Sequence, residues 1–109
     1  MNILDNVLYD EILKTKAKID SMEENLAKMS RGCIYIRKSN GSMYVYRKWR
    51  DDNKIRAEYL GKLNSSKTIS KIKKVNEYKI LKEQIKKEKQ KLAELRKAYK
   101  ILLAKTNLN

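Results

Sequence analysis

The sequence predicts an α+β fold in which two long helices, antiparallel arms of coiled-coil type, flank a three-stranded antiparallel β-meander. Three observations support this prediction: apolar residues recur every three or four positions near both ends, they alternate with polar residues in the middle, and proline is absent. At 109 residues the chain fits one domain, residues 1–109, with helices at about 4–29 and 67–103 and the meander at about 33–60.

The first helix is predicted from a narrow apolar seam in which the polar Thr15 occupies one position. The seam consists of Leu8, Ile12, Ile19, Met22, Leu26 and Met29. Steps of three and four residues are typical of a coiled coil rather than of the broader stripe on a globular helix, so we expect another helix to cover the seam. Gly32 follows and can adopt the left-handed conformation that ends a helix.

The first turn of the meander has the most specific local signal of the chain, the Asn40-Gly41 dipeptide preferred in a two-residue type I′ hairpin turn. Such a turn fixes the register, because the residues on either side of it must pair in order. A second polar turn is predicted at residues 51–53, followed by a third strand in which Glu58 can pair with Arg47. The pairs predicted for the first hairpin are Arg37 with Tyr44, Ile36 with Val45, Tyr35 with Tyr46 and Ile34 with Arg47.

This register gives the sheet two different faces. One, termed the tyrosine face, carries Tyr35, Arg37, Tyr44, Tyr46 and Lys48, joined by Ala57 and Tyr59. The more aliphatic face, which we expect to pack on the helices, carries Ile34, Ile36, Met43, Val45 and Trp49. The tyrosines are then either an exposed surface that stacks on unpaired bases or the packed core of the meander. Trp49 likewise either inserts into a partner or caps the aliphatic cluster.

The second helix again shows an apolar seam, with Glu88 in its one charged position. The seam consists of Tyr78, Leu81, Ile85, Leu92, Leu95, Tyr99 and Leu102. Beside it, a row of lysines falls within an arc of about 80° at 100° per residue, and no glutamate of this helix lies among them. This row, termed the lysine rail, consists of Lys71, Lys79, Lys82, Lys86, Lys89, Lys97 and Lys100. It is suited to following a phosphate backbone, although lysines beside a seam often only place their charges in water.

The net charge of +14 is unevenly distributed along the chain. Residues 1–32 carry −1, residues 33–63 carry +5 and residues 64–109 carry +10. A one-sided basic surface attracts nucleic acid, acidic lipid or an acidic protein surface. Solubility of a Lys-rich helix is the simpler explanation, but the size of the excess favours a binding role.

Residues typical of catalysis are scarce. Histidine is absent, which excludes imidazole acid–base chemistry and histidine-ligated metals. Cys33, the one cysteine, cannot form an intrachain disulfide and is expected to be a small buried residue rather than a nucleophile. We therefore expect no enzyme activity, no cofactor and no metal site. Because no apolar run approaches about 18 residues, we also expect a cytoplasmic protein with no membrane contact.

The segment from Tyr44 to Lys62 resembles a group of small, functionally uncharacterised bacterial, archaeal and phage-borne proteins. They share a basic hairpin ending in Tyr-x-Tyr, Arg and Lys around a tight turn, then Tyr-Leu/Ile-Gly-Lys and a Lys/Glu-rich helix. The matching residues are Tyr44, Tyr46, Arg50, Lys54, Tyr59, Leu60, Gly61 and Lys62. The resemblance implies the order of sheet and long helix and implies no activity. This chain departs from the group at Asp52-Asn53, where glycine is more common.

The leading functional hypothesis is a non-enzymatic protein that binds nucleic acid, DNA or RNA, and is of phage or mobile-element origin. The residues expected to contact the nucleic acid are the lysine rail together with Arg37, Tyr44, Tyr46, Lys48, Trp49, Arg50, Lys54, Arg56 and Tyr59. One alternative is a phage-encoded inhibitor of a host defence system, of anti-CRISPR type, that binds an effector protein or its guide RNA. Another is a structural coiled-coil adaptor. Pairing of the seams between two chains would give a homodimer.

Overall fold

The computed structural model describes residues 3–107, which contain two helices and a three-stranded antiparallel sheet. Helix α1 spans Ile3–Ala27, strands β1, β2 and β3 span Cys33–Ser39, Ser42–Asp51 and Lys54–Lys62, and helix α2 spans Ser66–Asn107. The α+β class predicted from the sequence is confirmed. Within the described residues, neither helix has the uncharged apolar length that a membrane crossing requires.

The sheet has the strand order β1-β2-β3, and all four pairs predicted for its first hairpin are present. This agreement follows from the turn, since a two-residue loop leaves only one way for the flanking residues to pair. In the second hairpin Arg47 pairs with Glu58, as predicted, and their side chains form an ion pair of 2.9 Å.

Both hairpin turns place two residues in the left-handed region. The φ angles are 50° at Asn40 and 80° at Gly41 in the first turn, and 46° at Asp52 and 69° at Asn53 in the second. Positive φ at both central residues is the mark of a type I′ turn, whose twist matches that of the strands. Asn and Asp tolerate this conformation better than other residues with a Cβ, so the second turn is of the same type as the first without a glycine.

A β-bulge interrupts the pairing of β2 with β3. The register shifts between Val45 and Tyr46, so that Leu60 and Gly61 together lie opposite Val45. The φ angle of Gly61 is 134°, and a Cβ at this position would collide with Oγ1 of Thr68 in α2. The Thr68 hydroxyl donates a hydrogen bond of 3.4 Å to the Leu60 carbonyl. The bulge therefore brings the end of β3 directly against the first turn of α2.

Tertiary contacts divide the chain into two compact units. The helical unit comprises Met1–Asn25 and Glu83–Asn109, and the sheet unit comprises Leu26–Lys82. In the helical unit, Ile12, Ile19 and Leu92 form a buried cluster on which Leu95 and Tyr99 pack. Ion pairs also link the two helices of this unit: Lys18 with Glu88 at 3.1 Å, Lys89 with Glu23 at 2.7 Å and Lys91 with Glu11 at 3.4 Å.

In the sheet unit, the aliphatic face of the sheet packs on the first turns of α2. Val45 is fully buried and forms a cluster with Leu60 and Val75. The half-buried residues packed against this cluster are Ile34, Leu63 and Ile72. The prediction that the aliphatic face packs on a helix is thus confirmed for this part of the sheet. Nearer the first turn, Ile36 and Met43 remain 47% and 43% exposed.

Candidate functional site

The two units differ sharply in net charge. The sheet unit contains sixteen Lys and Arg against four Asp and Glu, a net +12, whereas the helical unit contains eleven against nine, a net +2. The acidic residues of α1 fall in the helical unit and offset the basic second half of α2. The positive charge available to an anionic partner is therefore concentrated in the sheet unit.

The tyrosine face of the sheet unit carries a continuous row of four aromatic rings. The ring centroids are 6.3 Å apart for Tyr35 and Tyr46, 5.3 Å for Tyr46 and Tyr59, and 6.3 Å for Tyr44 and Tyr59. Tyr35 and Tyr59 are 42% and 52% exposed. Within the sheet unit the helix packs on the opposite face, so the tyrosines form a surface of this unit rather than its core.

Cationic side chains lie over the rings of this face. The ammonium nitrogen of Lys48 is 3.8 Å from the ring centroid of Tyr35, and that of Lys62 is 6.0 Å from the ring centroid of Tyr44. Arg37 pairs in register with Tyr44 and so belongs to the same face. Because a cation is attracted to the face of an aromatic ring, these contacts hold positive charge next to flat aromatic surface.

An open groove of about 430 Å³ in the sheet unit lies beside Trp49, and we term it the Trp49 groove. It is lined by Arg31, Gly32, Cys33, Lys48, Trp49, Arg50, Tyr78, Lys79 and Lys82. Among these described residues none is acidic, and two are aromatic. Gly32 has a φ of 123°, and a Cβ there would collide with the Lys48 carbonyl, so only glycine lets the chain enter β1 this close to β2.

The indole of Trp49 is held in place by Arg47. The guanidinium carbon of Arg47 lies 3.8 Å from the centroid of the Trp49 ring. The same guanidinium donates a hydrogen bond of 2.6 Å to the Arg31 carbonyl and one of 2.9 Å to the Glu58 carboxylate. With its donors directed to these fixed acceptors, and with only 13% of its side chain exposed, Arg47 is a rigid support for one face of the indole.

In the sheet unit, the members of the lysine rail have different environments. Lys79 and Lys82 line the Trp49 groove. Lys71 instead directs its ammonium group to the Leu60 carbonyl, at a distance of 3.4 Å. Two of these three lysines are therefore placed beside the aromatic residues of the sheet.

In the helical unit, the rail has acidic neighbours that the sequence of α2 alone does not reveal. Lys89 forms its ion pair with Glu23 of α1, which partly neutralises the rail at this point. The other members in this unit are exposed: Lys86, Lys97 and Lys100.

The predicted sheet residues fall into three places. Arg37, Tyr44, Tyr46 and Tyr59 share the tyrosine face, and Lys48 links this face to the Trp49 groove, which Trp49 and Arg50 also line. Lys54 and Arg56 lie by the second turn, where the Arg56 guanidinium donates a hydrogen bond of 2.9 Å to Asp51. The structure thus brings the aromatic residues and Lys48 together and leaves the second turn with part of its charge paired.

Sequence reasoning missed four residues that contribute to these surfaces: Arg31, Cys33, Lys62 and Tyr78. The expectation that Cys33 is buried is wrong, since it is exposed at the start of β1. The register could have predicted the place of Cys33, because continuing the predicted pairs back to the start of β1 sets Cys33 opposite Lys48, a residue of the tyrosine face. Tyr78 follows the apolar seam of α2, so no local signal distinguished it from a packing residue.

Comparison with protein families, with curated proteins and with solved structures finds no match to this chain.

Proposed function

We propose that this protein binds nucleic acid, without enzymatic activity and in the cytoplasm, through the basic and aromatic surface of its sheet unit. The observation that carries the proposal is the tyrosine face. There, four neighbouring rings and the ammonium groups of Lys48 and Lys62 lie within a unit of net charge +12.

The two kinds of side chain contribute differently to such binding. Lysine and arginine neutralise phosphates and release counterions, which gives affinity that depends on salt but not on base sequence. Tyrosine rings offer flat surface on which any base can stack, and each stacked base contributes about 1–3 kcal/mol. We therefore propose a binder with little sequence preference whose affinity falls steeply as salt concentration rises.

We also propose that α1 and the second half of α2 form an antiparallel coiled-coil arm. Predicted seam residues, Ile12, Ile19 and Leu92, are buried together in one chain. Glu11 and Lys18 of α1 form ion pairs with Lys91 and Glu88 of α2, an order that fits helices running in opposite directions. Because this arm carries little net charge, we assign it a structural role rather than the main contact with nucleic acid.

A salt series tests the proposed function directly. Binding of fluorescein-labelled single-stranded and duplex DNA and RNA oligonucleotides is measured by anisotropy at several salt concentrations. We expect the logarithm of the association constant to fall linearly with the logarithm of salt, with a slope of about −0.7 to −0.9 for each phosphate neutralised. Absence of binding to every probe at low salt, or affinity independent of salt, would contradict the proposal.

A pair of tyrosine variants locates the binding surface. Tyr59→Ala removes an exposed ring of the tyrosine face, and we expect an affinity loss of about 5- to 100-fold, equivalent to one stacked base. Tyr9→Ala is the matched control, because Tyr9 is 46% exposed and contacts another ring, Tyr99, but lies in the helical unit. Equal losses from the two variants would show that the tyrosine face is not the binding surface.

A further inference from the structure

We propose that the Trp49 groove holds one unpaired nucleotide, with its base against the indole and its phosphates on the lysines of α2. The inference rests on the proposed nucleic-acid binding and deepens it, because it selects single-stranded over fully paired nucleic acid. It is carried by the juxtaposition of an immobilised indole, a row of cations and an acid-free lining within one groove of the sheet unit.

The aromatic side of the groove is organised before any ligand binds. Arg47 lies over the indole at 3.8 Å and is fixed by the Arg31 carbonyl and the Glu58 carboxylate. A base that stacks on the indole would extend this stack without requiring Trp49 to change position. Preorganised aromatic surface of this kind makes stacking favourable, because little side-chain freedom remains to be lost.

The cationic side of the groove is placed for phosphate. Lys79 and Lys82 lie one turn apart on the same side of α2 and both line the groove. Arg31 also lines it, but its guanidinium is 3.5 Å from the Asp51 carboxylate, so the two lysines are the main phosphate contacts. Since no acidic residue lines the groove, an anion entering it meets no repulsion from the described lining residues. The volume of about 430 Å³ lies in the lower part of the range typical of small-ligand sites, which suits a single nucleotide better than a base pair.

The groove and the tyrosine face share one residue. Lys48 lines the groove while its ammonium group lies over the ring of Tyr35. A base can enter the groove only when it is unpaired. A duplex would first have to unpair that base and remove it from the stack, which is unfavourable.

The chain supplies two natural reporters of groove occupancy, since Trp49 is its only tryptophan and the exposed Cys33 its only cysteine. We would titrate the protein with oligo(dT) and oligo(U) of about twelve nucleotides, within the range that single-stranded binders cover, and with a duplex of the same length. Three signals are followed: anisotropy of the labelled probe, Trp49 fluorescence and the rate of Cys33 alkylation by iodoacetamide.

We expect the single strands to quench Trp49 and, at about ten times the dissociation constant, to slow Cys33 alkylation about tenfold by mass action, with the duplex having little effect on either signal. Anisotropy that reports binding while Trp49 and Cys33 stay unchanged would overturn the groove proposal and leave the proposed function standing. Equal quenching and protection by the duplex would overturn the preference for an unpaired nucleotide. Absence of binding by anisotropy would reject both proposals.

A pair of double variants tests the phosphate contacts. Lys79→Gln with Lys82→Gln should weaken binding of oligo(dT) about tenfold and reduce the quenching of Trp49 at a fixed oligonucleotide concentration. Lys73→Gln with Lys74→Gln is the matched control, because both lysines are exposed on α2, lie in the same unit and carry the same charge, but lie outside the groove lining. Equal weakening by the two pairs would show that α2 contributes only general charge and would overturn this assignment.

Discussion

At the scale of single residues, the contact between Gly61 and Thr68 is a tight constraint on the sequence of the sheet unit. Gly61 must be glycine for two separate reasons, its φ of 134° and the approach of the Thr68 hydroxyl to the position a Cβ would occupy. Gly41 has only the first of these constraints, because its φ is 80° but no atom lies within 4 Å of its potential Cβ.

The two glycines therefore make a matched pair of variants. We expect Gly41→Ala to lower the free energy of unfolding by about 1 kcal/mol, the cost of left-handed backbone for a residue with a Cβ. Gly61→Ala adds a steric collision in a buried place and should lower it by about 2–4 kcal/mol. Urea denaturation followed by circular dichroism measures both. Similar losses would mean that the collision with Thr68 is relieved by small shifts.

Replacing Thr68 tests whether the collision is specific. Thr68→Ala alone should lower the free energy of unfolding by about 1 kcal/mol, because the buried hydroxyl loses its hydrogen bond to the Leu60 carbonyl. In that background Gly61→Ala should be less destabilising than in the parent chain, since the colliding atom is gone and only the cost of the backbone conformation remains. A double-mutant cycle from the same denaturation curves gives the coupling, and strict additivity would contradict the expectation.

In the second hairpin turn, replacing Asn53 with glycine should stabilise the fold. Asn53 has a φ of 69° in a type I′ turn, where glycine is preferred. We expect Asn53→Gly to raise the free energy of unfolding by about 0.5 kcal/mol, and the melting temperature by a few degrees. Asn64→Gly is the control, because Asn64 is not among the residues with positive φ, and there the added flexibility should be neutral or destabilising. A lower melting temperature for Asn53→Gly would contradict the prediction.

At the scale of elements, the first half of α2 owes its position to the sheet rather than to its own helix propensity. Val75 is 3% exposed and packs on Val45 and Leu60, whereas Ile80 on the same helix is 57% exposed. We expect Val75→Ala to lower the free energy of unfolding by about 2 kcal/mol, through lost burial and a residual cavity. Ile80→Ala should change it by no more than about 0.5 kcal/mol. Equal effects of the two variants in urea denaturation would contradict the packing of α2 on the sheet through Val75.

The same elements show how far the sequence predicts this fold. The register of the first hairpin followed from Asn40-Gly41, because a local turn signal fixes every pair beyond it. The bulge opposite Val45 has no comparable turn signal, and it coincides with the close approach of Gly61 to Thr68 of α2. The exposure of the tyrosine face was likewise undetermined, because aromatic residues suit both a packed and an exposed sheet surface. Only the packing of Val45 on α2 distinguishes the two in the sheet unit.

At the scale of the whole molecule, net charge distinguishes the two units as candidates for the proposed contact with nucleic acid. Charge summed along the sequence assigned most of the excess to the segment that contains α2 and its lysine rail. Grouping the charges by unit assigns it to the sheet unit, because α1 brings its acidic residues to the second half of α2. Sequence order could not show this, since the ion pair between Lys89 and Glu23 joins residues far apart in the chain.

Two triple variants separate these interpretations, because each removes three positive charges. If the sheet unit holds the phosphates, Arg37→Gln with Lys54→Gln and Lys62→Gln should reduce the slope of affinity against salt by about 2 on single strands. Lys86→Gln with Lys97→Gln and Lys100→Gln in the helical unit should leave the slope nearly unchanged. The reverse result in the anisotropy titration would favour the lysine rail over the sheet.

The four consecutive residues at the end of β3 each have a separate physical task. Tyr59 is part of the row of rings, and Leu60 is part of the buried cluster. Gly61 allows the close approach of α2, and Lys62 places its ammonium group over the ring of Tyr44. We therefore expect all four positions to vary little among related sequences. In any related sequence that keeps threonine at position 68, glycine is therefore expected at position 61.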